Sequence, residues 1–112
     1  MNRFSIVREW NTDVGLRAEI ILTAMGHHCG YVTVPPEHPL YGVHYDKAHD
    51  LHEIDIHGGL TFSDSDKAGG WQFGYDCAHY MDTPEKCDET FCVAQCESLA
   101  RQLAALAQEP TR

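Results

Sequence analysis

The sequence predicts an α+β fold, a mostly antiparallel β-sheet with a C-terminal α-helix packed on one face. Three observations carry it. Apolar and polar residues alternate through the N-terminal segment. Short β-branched and aromatic runs follow one another with no helix-length segment to make a parallel crossover. Only the C-terminal segment keeps a helical repeat.

Residues 3–10 read as a short strand, with Phe4 and Ile6 on one face and Trp10 at its end. Asn11-Thr12-Asp13 and Gly15 signal a turn. Over 16–24, Leu16, Ala18, Ile20 and Leu22 face one way, and Arg17, Glu19, Ile21 and Thr23 the other. That is a half-buried strand, and the two runs form a hairpin. Gly26 breaks the run, 30–34 is a third strand, and Pro35-Pro36 ends it. Residues 37–50 form an ordered loop with one helical turn at 45–51, and loops of this length are usually functional. Residues 53–57 and 60–62 read as short extended pieces broken by Gly58-Gly59. Residues 63–70 read as a polar turn, and 71–78 as a further strand. Thr83-Pro84-Glu85 is a helix-start signal, with Pro at the first helical position. Cys92, Cys96, Leu99, Leu103 and Leu106 then line one helix face, Glu97 and Arg101 can pair on the other, and Pro110 stops the helix.

With 112 residues, 43 % of them hydrophobic, the chain is expected to be one domain spanning 1–112. No apolar run approaches the roughly 18–20 residues that cross a bilayer, and residues 1–4 begin no signal-like segment. The expectation is a cytoplasmic protein without membrane contact. The five cysteines are odd in number and lack a Cys-x-x-Cys pair, so they read as small buried hydrophobes. Net charge is −9, and between Arg17 and Arg101 the only basic residues are Lys47, Lys67 and Lys86. Binding to a nucleic-acid backbone needs clustered Lys and Arg and is excluded on this charge pattern. An acidic surface suits metal ions or a basic protein partner instead.

All 8 histidines lie between His27 and His79. Most histidines are structural, so their neighbours decide. On a strand Asp55 and His57 share a face, and a carboxylate beside an imidazole fixes its tautomer. Gly58-Gly59, followed by Leu60-Thr61, allows a bulge or a close approach to bare backbone amides. The plainer reading is a bulge with a surface ion pair. Asp76, His79 and Asp82 recur every third residue at a strand end, where one turn can gather them. The plainer reading is a capped turn with an exposed histidine. Together Asp55, His57, Asp76, His79 and Asp82 would make a mixed N/O set suited to zinc, if the two strands are neighbours. Aromatic residues interleave with these groups. The candidate ligand-binding residues are therefore His57, Gly58, Gly59, Thr61, Asp76 and His79, with Tyr31, His38 and Trp71 as pocket wall. No catalytic residue is assigned.

Four runs carry a resemblance: Gly30-Tyr31-Val32-Thr33-Val34-Pro35, His38-Pro39-Leu40-Tyr41-Gly42, His57-Gly58-Gly59-Leu60-Thr61-Phe62 and Gly74-Tyr75-Asp76-Cys77-Ala78-His79. With the helical piece 97–104, they resemble a family of small uncharacterised bacteriophage and prophage proteins, over residues 25–106. Tyr75 stands where Phe is expected. By genomic analogy, the resemblance implies an accessory protein that blunts host defences. The leading expectation is thus a non-enzymatic protein without a cofactor. It would bind a small, nucleotide-like ligand or a host defence protein. The alternatives are a zinc-dependent hydrolase built on the His/Asp set and an acidic structural or interaction module.

Overall fold

The alternation at the N-terminus becomes a hairpin of β1 (Phe4–Asn11) and β2 (Arg17–Thr23), closed by Thr12, whose hydroxyl donates to Leu16 O at 2.7 Å. The structure is a computed structural model that describes residues 4–66 and 68–108. β3 (His28–Val34), β4 (Phe62–Ser65) and β5 (Trp71–Asp76) complete one sheet of order β1-β2-β3-β5-β4, antiparallel throughout. The helices are α1 (Tyr45–His52) and α2 (Glu89–Ala107).

Period-two alternation sorts each strand onto two faces. Ala18, Ile20, Val32, Val34, Phe73 and Tyr75 point one way, and all are buried. Against them α2 lays Cys92, Cys96, Leu99, Ala100 and Leu103, each fully buried. Gly30 makes this contact possible, because a Cβ there would meet the Tyr75 ring and Cys96 Sγ. The expected sheet-and-helix fold is therefore the observed one.

Among the described residues the other face carries no helix. Two rows of side chains cross it, read from the strand register. One runs Ile6, Ile21, Cys29, Asp76; the next runs Glu9, Glu19, Tyr31, Gly74, Phe62. A bulge between Ile6 and Arg8 leaves Ile6 on this open face and turns Trp10 toward α2, where its indole N–H donates to Glu97 Oε2 at 2.7 Å.

Four expectations need correction. Residues 54–57 are not a strand, although Ile54 and Ile56 are buried and Asp55 is exposed. Their backbone partners are helix side chains. Gln102 accepts from Asp55 N at 2.8 Å and donates to Asp55 O at 2.7 Å, and Gln95 Oε1 accepts from His57 N at 3.0 Å. The polar stretch after Leu60 is a real edge strand, β4. The Thr83 turn does not propagate. α2 starts six residues later at Glu89, because Asp88 caps it by accepting from Phe91 N. Glu97 is occupied by Trp10 and by Asp13 N (3.1 Å), not by Arg101. Pro110, expected to end the helix, lies outside the described residues.

Candidate functional site

Two stretches far apart in the chain meet at one end of the sheet. The first leaves the α2-bound segment 54–57 through Gly58 and Gly59, whose φ angles of 68° and 82° suit glycine, with Gly59 N donating to Ile56 O at 2.9 Å. The second leaves β5 at Asp76 and turns back at once. Asp76 Oδ1 accepts from Ala78 N at 3.0 Å, and Asp82 N donates to His79 O at 2.9 Å.

His57 Nε2 lies 3.0 Å from both Asp82 oxygens, and Asp82 Oδ2 also accepts from His79 N at 3.0 Å. The hydrogen bond from His57 holds the Asp82 carboxyl below the ordinary carboxylate range, aided by the His79 amide. The His57 and His79 rings pack edge to face at 5.7 Å, and His57 packs likewise on Phe91 at 5.2 Å. Gly58 is required here for its shape as well as its φ, since a Cβ would overlap the His79 imidazole. Asp76 Oδ2 accepts from Thr61 Oγ1 at 3.1 Å. His79 Nε2 lies 3.4 Å from Asp76 Oδ1, yet misaligned, so this buried nitrogen has no hydrogen-bond partner among the described residues.

His57, Gly58, Thr61, Asp76, His79 and Asp82 thus converge, with Gly59 in the same turn. Tyr31 stands on the open sheet face near Asp76, its ring edge-on to Phe62 at 5.2 Å and seated over Gly74. The other expected residues lie elsewhere. His38 is buried and structural: Nδ1 accepts from Leu40 N (3.0 Å), so Nε2 carries the proton it donates to Leu103 O (2.7 Å). Trp71 points to the helix side and donates to Val43 O at 2.9 Å. Asp55 is exposed and backbone-bound to Gln102, so the N/O metal set is gathered without it.

Sequence reasoning missed the sulfur. His57 Nε2, Cys77 Sγ and Cys87 Sγ all lie within 4.8 Å of one another, and Cys77 Sγ lies 3.8 Å from Cys92 Sγ. The cysteines are buried, as expected, but three of them form a cluster rather than scattered filler. The thiol of Cys92 is lowered to about 7, chiefly because Cys77 hydrogen-bonds to it. Three widely spaced segments supply the cluster, so no short motif announces it.

A groove of about 610 Å³ lies apart from this junction, at the β4–β5 turn, among Arg17, Glu19, Thr33, Pro35, Asp66 and Gln72. Burial and the neighbouring Glu9 push the Glu19 carboxyl up. None of the expected site residues lines it.

No family model, curated protein or solved structure matches the chain.

Proposed function

We propose that this chain is a non-enzymatic binding protein, an accessory protein of the phage type, that engages a basic protein partner through the open face of its sheet. One observation carries the reading: among the described residues no layer covers that face. Phe4 and Ile6 are half exposed there (47 % and 49 %), Phe62 is 37 % exposed, and Ile21, Cys29 and Tyr31 fill the strip between them. Exposed apolar surface rimmed by polar groups marks interaction sites.

Charge selects the partner. Glu9, Glu19, Asp64 and Asp76 share the face, and among the described residues its one cation, Arg17, is paired with Glu9. Such a rim repels a phosphate-bearing ligand and attracts a surface rich in lysine and arginine. At the His57 end both carboxylates are already committed. Asp82 serves His57 and the His79 amide, and Asp76 serves Thr61 and the Ala78 amide. This favours a rigid recognition corner over a free general base.

The test is capture of a host protein by the wild-type chain and by a Tyr31→Lys, Phe62→Lys double variant. The wild type should retain a partner that the double variant loses, and retention should weaken with salt. Capture that survives the double substitution would contradict the assigned face. A melting-temperature rise with a nucleotide or cyclic nucleotide would replace the protein partner with a small ligand.

A further inference from the structure

We propose that His57 Nε2, Cys77 Sγ and Cys87 Sγ bind one zinc-class divalent cation, with the Asp82 carboxylate as the fourth ligand. The proposal is independent of the open sheet face and rests on the geometry of the junction behind it.

Tetrahedral zinc, with Zn–S of about 2.3 Å and Zn–N of about 2.0 Å, places neighbouring sulfur and nitrogen ligands about 3.6 Å apart. His57 Nε2 lies 3.7 Å from Cys87 Sγ, and Cys77 Sγ falls within the same 4.8 Å set. Thiolate and imidazole together form a donor set that suits zinc better than magnesium or calcium.

Asp82 is assigned the fourth position because it touches His57. Both its oxygens lie 3.0 Å from His57 Nε2. A proton now bridges imidazole and carboxylate, and a cation taking its place would keep both groups as partners. Cys92 is the competing candidate. Its sulfur touches Cys77 at 3.8 Å, and like Asp82 it stands outside the three-residue set, so the two are separated by which ligand each touches.

Burial argues in the same direction. Cys77 and Cys87 are 5 % and 3 % exposed. Zinc would bind the two sulfurs as thiolates, so two thiol protons would leave to solvent, while the neutral His57 ring would keep its single proton on Nδ1 and offer Nε2 to the metal. The ligands come from four places: the segment along α2, the end of β5, the turn at Asp82 and the residue before the α2 cap. The cation would staple these together.

The experiment is elemental analysis of untagged protein, followed by cobalt titration of the chelator-treated wild type. About one zinc per chain is expected. Cys77→Ser, Cys87→Ser and Asp82→Asn should lose it, and Cys29→Ser and Cys92→Ser should keep it. Cobalt should give the near-ultraviolet thiolate charge-transfer band and the strong visible bands of a tetrahedral site. That wild-type spectrum decides even if a variant fails to fold. Metal-free protein with only the weak spectrum of hydrated cobalt would overturn the proposal. Zinc kept by Asp82→Asn and lost by Cys92→Ser would overturn the assignment of the fourth ligand.

Discussion

His57 Nε2 stands 3.0 Å from each carboxylate oxygen of Asp82, although 25 positions separate the two residues in the chain. This pair closes the loop that contains β4 and β5. Both side chains are largely shielded, at 25 % and 11 % exposure. Asp82→Asn should therefore destabilise the fold by about 1–3 kcal/mol, the cost of leaving shielded partners unsatisfied. Urea unfolding checks it, and a difference under ~0.5 kcal/mol would mean the pair is a surface ornament.

Gly58 and Gly59 both have positive φ, but only Gly58 is crowded. An added Cβ on Gly58 meets the His79 ring, whereas one on Gly59 meets nothing within 4 Å. Gly59→Ala should cost about 1–2 kcal/mol, the left-handed backbone penalty alone. Gly58→Ala should cost more and move the His79 ring resonances. Equal costs for the two would contradict the packing of His79 on Gly58.

Leu103 is fully buried between α2 and the sheet, and its carbonyl accepts from His38. Leu103→Ala should cost about 2–5 kcal/mol, as for other large-to-small core changes. Calorimetric or urea unfolding measures it. A loss below ~1 kcal/mol would mean that the helix face is not the core.

Glu19 gives a pH test with a defined sign. Its folded carboxyl is pushed up by burial, then by Glu9 and Asp66 against Arg17. A raised folded pKa means that ionisation destabilises the native state above that pKa, and that the penalty vanishes below the unfolded pKa. Glu19→Gln should therefore be more stable than the parent at neutral pH, with the gap closing in acid. A gap that widens in acid would reverse the sign.

Much of the fold is legible in the residues, because burial imposes periodicity. The alternation of Leu16, Ala18, Ile20 and Leu22 locates β2, and the 4-3-4-3 spacing from Cys92 locates α2. The misreadings have physical causes. Ile54-Asp55-Ile56 alternates like a strand because one side of it is buried, but Gln95 and Gln102 on α2 take the place of a neighbouring strand. β4 is an edge strand, so Ser63, Asp64 and Ser65 meet no demand for apolar residues. Pairing of His57 with Asp82, and of Cys77 with Cys92, depends on tertiary contacts that spacing does not encode.

The glutamine contacts yield their own check. Gln102→Ala should speed hydrogen exchange at the Asp55 amide, and Gln95→Ala at the His57 amide, by roughly five- to tenfold for the loss of about 1–1.5 kcal/mol of hydrogen bond. Unchanged exchange at both sites would mean that segment 54–57 is held by its isoleucines alone.

Hydroxyl-radical footprinting with and without the captured partner shows whether the uncovered sheet face is the binding surface. Phe4, Ile6, Tyr31 and Phe62 should be modified in the free protein and protected in the complex. Tyr80 and Leu51, exposed at 93 % and 56 % but off that face, should be modified equally in both. Protection of Tyr80 and Leu51, with Tyr31 and Phe62 unchanged, would place the partner elsewhere on the molecule.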